Sequence, residues 1–525
     1  MSRIHRRAVP AVALLATLVL SAGSASAAPT QAGPSTETDP YVLPVADGVE
    51  TTSIFTVSDA LAAGNGYEMT GIPDGLGAVA QGRNLVVYMN HELNQTAGAV
   101  RRHGERGAFV SRLVLDPSTL EVKAGSDWIN PGVQYWDYPN GTFSAAPDAI
   151  GTGSTADLAA FARFCSGDLT APGQLFNPTT RAGYQGDVYF ANEEVNPDGR
   201  AFAVLKDGSA WQLPRLGLFS WENTLAAFNE TDTTVVMGNE DGPSNGSQLW
   251  VYAGEKQRNG TPIEKAGLHN GTNFVVRVND TATNDAATRT LAVAPGGVGF
   301  DLVEIDWNQS GTDQNDDALA GMSLTRIEDG EFDPHDKNVY YFLTTEGSPA
   351  NPPETPSRDG GGLWRLTFED VEDPEAGGTL ELLLDGTEAV YSEAGGESSL
   401  NKPDNMTIDT HGNVLIQEDP GENAHLARIV AYRIADGALG VVARFDADLF
   451  SDDSVITDDE ESSGIIDAEA WLGGGSFLFD AQVHADSPTP YPAGAALSDP
   501  ATQVEHGQLM QLFVPDWDAV YPSIG

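Results

Sequence analysis

Short apolar runs recur from about residue 50 to the end of the chain: NLVVYM, FVSRLVLD, DVYF, RAFAVL, TTVVM, QLWVYAG, NVYYFLTT, GLWRLTF, NVLI, RIVAYRI, GVVARF, SFLFDAQV and QLMQLFV. Each is rich in Val, Leu, Tyr and Phe and is too short for a helix, so each reads as a buried strand. Helical periodicity is confined to residues 155–164 and 223–228, which are expected as short helices. A grammar also repeats, in which a strand ends in acid or Gly and, after a gap, a second strand follows. GNEDG leads to QLWVYAG, TTEG to GLWRLTF and QEDPG to RIVAYRI. Such pairs suit neighbouring strands of one antiparallel sheet, and propeller blades repeat such sheets about an axis. The spacing is irregular, with long insertions at residues 124–185 and 254–290. The expected fold is therefore all-β, a β-propeller with long inserted loops and a few short helices.

The polar positions sharpen this picture. Four strand-like runs stop at carboxylates: MNHEL at Glu92, FANEEV at Glu193 and Glu194, GNEDG at Glu240 and Asp241, and IQEDPG at Glu418 and Asp419. A carboxylate in mid-strand would face the core unpaired, whereas carboxylates at strand ends can converge on one rim of a channel. Such a rim repels itself unless cations fill it; calcium takes six to eight oxygens, and iron or zinc accepts carboxylate together with thiolate. The single cysteine, Cys165, lies in F-C-S-G-D among these segments and cannot form an intramolecular disulfide. It is a ligand, a free thiol or a small buried hydrophobe.

Other candidates stand near them. Arg326 and Glu328 are two apart in R-I-E-D, and an extended backbone would put both on one face, a planar anion-binding fork beside a potential metal ligand. Glu222 lies in W-E-N, and Asp467 and Glu469 in IIDAEAW. Pro73-Asp74-Gly75 reads as a turn before the strand that carries Asn90 and Glu92, and Pro403-Asp404 recurs before the strand ending at Glu418 and Asp419. Residues 452–464, DDSVITDDEESSG, lack the calcium-loop pattern of an EF-hand and read as a solvated loop. His484 reads as a surface histidine. Signatures for a nucleophile elbow, a zinc helix or a P-loop are missing.

Residues 1–27 carry a basic start, an apolar stretch and Ala25-Ser26-Ala27 before Ala28, which reads as a signal peptide. Arg6-Arg7 stands either for a twin-arginine signal or for an ordinary basic start. The chain is thus expected to be exported without a membrane span. Residues 28–50, rich in Thr, Pro, Ser and Ala, are expected as a flexible leader, and residues 51–525 as one propeller domain. With 76 acidic and 27 basic residues the net charge is −49, which argues against nucleic acid or anionic membranes as partners. A phosphorylated substrate would need metals and arginine to reverse the local sign.

In chain order, IPDGLGA, MNHEL, FCSGDL, RIEDGEFDP, PDNMTID with a following I-x-E-D, and the late D-A-E with LFDAQVH resemble the PhoX family of exported alkaline phosphatases. The resemblance implies a β-propeller with two ferric ions and several calcium ions that hydrolyses small-molecule phosphate monoesters, and a monomer is expected. By it Cys165, Glu222 and Glu328 are metal ligands, with Glu92, Glu194, Asp404, Glu418, Asp419 and Glu469 as further acidic ligands. Arg326 holds the phosphate and Asn90 lines the site. The chain departs from the family where Cys165 lacks a glycine-rich context and where Trp221 precedes Glu222. Two other readings are a noncatalytic calcium-stabilised propeller that binds a partner, against which Cys165 and Arg326-x-Glu328 speak, and a propeller lactonase with one calcium, which needs far fewer acidic strand ends than this chain offers.

Overall fold

The computed structural model describes residues 30–59, 65–147, 159–242, 246–346, 360–386, 399–421, 425–450, 456–485, 497 and 499–521, with the backbone alone of 391–393 and 396–398. The expected signal peptide lies outside the described residues. Each apolar run quoted above forms a strand or part of one, and together they build six antiparallel blades.

The first blade runs from an inner strand, Pro73–Gln81, through Asn84–His91 and Phe109–Leu115 to Val122–Asp127. The second has the inner strand Phe164–Leu169, followed by Val188–Glu193, Ala201–Leu205 and Ala210–Gln212. The third starts at Trp221–Ala226 and the fourth at Ile327–Phe332; the strand Val298–Ile305 pairs with the outermost strand of each and fuses them into one sheet. The fifth starts at Pro403–Ile408 and the sixth at Glu460–Asp467. Each of the six inner strands packs on the next, and the last packs back on the first, so the inner strands surround one channel.

The ring is closed by chain from its beginning. Glu50–Thr56 pairs with His506–Phe513 as an outer strand of the sixth blade, and Thr30–Ala32 adds to it in parallel. Val42–Pro44 pairs with Ala438–Phe445 of the fifth blade, and Tyr41 and Val42 are buried. This corrects the expectation of a flexible leader over residues 28–50. Its Thr and Ser content suited a sheet edge as well as a loop, and Ser53 Oγ donates to the Thr38 carbonyl at 2.6 Å.

The expected helices are also corrected. Residues 223–228 belong largely to the strand Trp221–Ala226, and 164 opens the strand Phe164–Leu169; residues 155–158 lie outside the described residues. Burial between blades outweighed a weak local helical pattern. The longest helices, Asp285–Ala292 and Gly311–Ala318, sit in connections near the fused edge of the third and fourth blades.

Side-chain amides hold neighbouring blades in register. Asn90 Nδ2 donates to the Cys165 carbonyl at 2.7 Å, and Asn192 Nδ2 to Thr224 Oγ1 at 2.6 Å. Gln417 Nε2 reaches Ser462 Oγ at 2.6 Å, and Gln482 Nε2 reaches Asp74 Oδ2 at 2.9 Å across the closure. Asn239 makes the equivalent bond to the Glu328 carbonyl. In every case the amide sits near the end of a blade's second strand and donates to the inner strand of the following blade. A buried amide so placed must find its partner or lose about 1–3 kcal/mol, so each one selects a single docking of two sheets.

Candidate metal centre

The second residue of each inner strand forms a ring at one end of the channel: Asp74, Cys165, Glu222, Glu328, Asp404 and Glu461. All six are buried. In the first five blades the pairing slips just beyond this position, between Pro73 and Leu76, Phe164 and Gly167, Trp221 and Thr224, Ile327 and Gly330, and Pro403 and Met406. Such a bulge leaves a residue outside the ladder and re-aims its side chain, here at the start of every strand that lines the channel.

A second ring follows from the next strand of each blade. Its residues stand just past the strand end: Glu92, Glu194, Asp241, Thr345, Asp419 and His484. Four of them are tied to the inner strand by one repeated bond. The backbone N–H of Glu92 donates to the Ile72 carbonyl, Glu194 to Arg163, Thr345 to Arg326 and Asp419 to Lys402, at 2.9–3.0 Å. Each accepting residue is left-handed, with φ of 49°, 46°, 56° and 46° for Ile72, Arg163, Arg326 and Lys402. Non-glycine residues held there cost about 1–3 kcal/mol apiece and gather at functional sites.

The two rings bring three overlapping ligand groups together. Asp74, Glu92 and Cys165 converge; Cys165, Glu194 and Glu222 converge; and Glu222, Glu328 and Asp404 converge, the ligand atoms within each group lying no more than 4.8 Å apart. Cys165 Sγ is 3.3 Å from Asp74 Oδ2 and 3.4 Å from Glu222 Oε1. Ser166 Oγ donates to the same Glu222 oxygen at 2.7 Å and accepts from Asn405 Nδ2 at 2.5 Å, which fixes the Glu222 carboxylate.

Crowding of acids in a buried place shifts their titration together. Burial pushes Glu222 up to about 8, with Asp241 adding to the rise, and Glu461 up to about 7, with Asp419 adding. Burial and the neighbouring acids lift Asp74, Glu328, Asp404 and the Cys165 thiol well above their usual ranges. These acids hold their protons because too little positive charge stands near them. Asp74 Oδ1, buried, lacks a hydrogen bond among the described residues. A set of hard carboxylates with one thiolate suits calcium and iron, so the residues fit a mixed-metal group.

Two arginines and a lysine stand at the rim, Arg163, Arg326 and Lys402. Arg163 bridges Glu92, at 2.6 Å, and Glu194. Arg326 forms a two-pronged pair with Asp241, Nε and Nη2 each at 2.8 Å, and Nη2 lies 3.3 Å from Glu328 Oε1. Burial would lower the Arg326 pKa, but Glu328 and Asp241 raise it, so it stays charged. The guanidinium keeps its remaining edge, Nη1, for a further anion.

Of the residues singled out from sequence, Asn90, Glu92, Cys165, Glu194, Glu222, Arg326, Glu328 and Asp404 come together here. Asn90 does so from beneath, its amide on the Cys165 carbonyl and its oxygen accepting from Tyr189 OH at 3.0 Å. Asp419 lies close enough to raise both Asp404 and Glu461. Glu418 and Glu469 do not join. Glu418 points into the fifth blade, where Arg428 at 2.6 Å and His425 at 3.0 Å outweigh burial and bring it down to about 2. Glu469 opens a short helix, partly exposed beside Thr410 and His411.

Asp74 and Glu461 were missed. Pro73-Asp74-Gly75 is the start of an inner strand and not a turn, and residues 460–464 of the expected solvated loop are a buried inner strand. The shared signal was the inner-strand start itself, an apolar residue or Pro, then Asp, Glu or Cys, then a small or polar residue; Glu460 alone breaks it. A cavity of about 740 Å³ opens at the opposite ends of the inner strands, near Asp168, Glu331 and Asp333.

Comparison with known proteins agrees with this geometry. A crystallised PhoX of Pseudomonas fluorescens, in complex with vanadate as a transition-state analogue, is 13% identical and superposes with a TM-score of 0.59 over 91% of this chain and 98% of that one. A family 43 β-1,3-galactosidase with galactodeoxynojirimycin is 10% identical, with a TM-score of 0.35 over 89% of this chain and 97% of that one. No curated protein sequence matches the chain. The sequence profile described as alkaline phosphatase PhoX matches residues 194–464, more than half the chain and four of the six inner-ring positions, and the chain belongs to that family of phosphatases, which act on phosphate esters.

Proposed function

We propose that this phosphatase hydrolyses phosphate monoesters at the ringed end of the channel, with ferric and calcium ions held by Asp74, Cys165, Glu222, Glu328 and Asp404. Glu92, Glu194, Asp419 and Glu461 stand around them. The observation that carries the reading is the convergence of one thiol with carboxylates from five blades in a buried ring. A calcium-only site has no use for the thiol. When bound, such ions act as Lewis acids toward phosphate oxygens.

The chain's own residues do the rest. Asp241 clamps Arg326 so that its free edge is fixed before substrate arrives. Preorganised donors of this kind stabilise charge that grows on the phosphoryl oxygens, and losing one typically costs about a hundredfold or more in turnover. Ser166 and Asn405 orient Glu222, and Asn90 fixes the backbone that carries Cys165. Residues 1–27 are proposed to direct export, and the protein is proposed to act as a monomer.

The test is metal analysis on protein purified without chelator, together with hydrolysis of p-nitrophenyl phosphate at alkaline pH. Iron near two per chain, calcium and turnover are expected. Calcium without iron or turnover would replace this reading with a binding propeller. Arg326→Ala should keep fold and metals and lose turnover by about a hundredfold or more; wild-type turnover in that variant removes Arg326 from the site.

A further inference from the structure

Two arginines hold neighbouring acids of the rings together. Arg163 bridges Glu92 and Glu194, and Arg326 reaches both Asp241 and Glu328. A third clasp stands where the last blade meets the first, and it carries no charge. Gln482 Nε2 donates to Asp74 Oδ2 at 2.9 Å and lies 3.4 Å from Glu92 Oε2, so one neutral amide spans two acids of the Asp74, Glu92 and Cys165 group.

Gln482 also departs from the other four amides that dock one blade on the next. Asn90 and Asn239 donate to inner-strand carbonyls, and Asn192 and Gln417 reach hydroxyls. Gln482 alone of the five donates to carboxylates. It is fully buried, and its Oε1 accepts no hydrogen bond among the described residues. A reversed amide would set that oxygen against two carboxylates, so the donor face is the one that fits.

An ammonium or guanidinium in this place would compete with a cation for the same acids, whereas an amide orients them without adding positive charge. Asp74 forms no ion pair among the described residues, and with Oδ2 engaged by Gln482 its buried Oδ1 is bare.

We propose that Gln482 is a positioning residue of the metal centre, which clasps Asp74 and Glu92 in one arrangement so that they and Cys165 offer an ion a fixed set of donors. The inference rests on the metal reading proposed above. Partners that orient ligands in this way typically change metal affinity by about ten- to a hundredfold when removed.

Iron content of the wild-type protein is measured first, and its absence would overturn the metal reading and this inference with it. Iron retention against rising EDTA is then compared in the wild type, Gln482→Met, Gln482→Asn and Gln417→Met, together with thermal unfolding and the visible thiolate-to-iron absorption. Gln482→Met removes the donor, and Gln482→Asn, one methylene shorter, withdraws it from both acids. Both should release iron at EDTA concentrations about ten- to a hundredfold lower than the wild type, with the visible absorption shifted or lost. Gln417→Met is the control, because Gln417 docks the fifth blade on the sixth through Ser462 and the Ser463 carbonyl and bonds to no acid of either ring. It should lower Tm and leave iron retention and absorption unchanged. Equal loss of iron in Gln417→Met, or wild-type retention in both Gln482 variants, overturns the proposal.

Discussion

At the scale of single residues, the same side-chain type does opposite things in different surroundings. Glu222 is an acid among acids, pushed up to about 8, while Glu418 is an acid sealed against Arg428 and brought down to about 2. Glu418→Ala should therefore leave metal content unchanged and lower unfolding stability by about 3–5 kcal/mol, because it strands a buried guanidinium. Denaturant titration with metal analysis checks this, and loss of metal without loss of stability would put Glu418 back among the ligands. Cys165→Ala should remove iron and any visible thiolate-to-iron absorption while the blades stay folded; unchanged iron would exclude the thiol. Sequence left Cys165 open as ligand, free thiol or small buried hydrophobe, and the resemblance to the PhoX family singled out the ligand. Glu418 misled because an acid at a strand end looks the same whether it faces the channel or a buried arginine ten residues on.

At the scale of elements, the channel-lining strands share one construction: a left-handed residue in four blades, a ligand-type side chain two residues on, then a bulge in five. The second-strand ends were legible because apolar runs visibly stop at acids. The inner strands were harder to read, since their first residues are Pro-Asp-Gly, Phe-Cys-Ser or Pro-Asp-Asn, which by local preference say turn. Packing against both neighbouring inner strands overrides that preference. Gly75 shows how tight this packing is. A Cβ there would lie 2.1 Å from the Gly167 nitrogen and 2.5 Å from the Ser166 carbonyl carbon, both backbone atoms that cannot swing aside. Gly75→Ala should force the first and second inner strands apart, lowering both Tm and metal content, whereas Gly299→Ala, whose nearest neighbour is 3.9 Å away, should do neither. Normal metal content in Gly75→Ala would show that the ring tolerates spreading.

At the scale of the whole molecule, six blades converge acids that would not otherwise share a space, and stability depends on what neutralises them. Without metals, Glu222 and Glu461 are protonated in the folded state up to about 8 and about 7, well above the usual carboxylate range. A group whose folded pKa is raised contributes stability below its unfolded pKa and loses that contribution as pH rises through the folded value. Chelated protein should therefore unfold at progressively lower temperature between pH 5 and pH 9, while added metal should protect more strongly at the alkaline end, where ligands are deprotonated. Thermal unfolding with and without chelator measures both slopes, and a flat chelated profile would mean that the ring is neutralised by the chain itself.

Closure of the ring by Glu50–Thr56 against His506–Phe513 carries a consequence for when the protein acquires its ions. Asp74 belongs to the first blade and Glu461 to the last, so the complete ring of donors exists only after both ends of the polypeptide have met. A partly made chain offers isolated acids and one thiol. The compartment in which the two ends join thus decides which ions are at hand, and the site of folding acts as the selector of the metal.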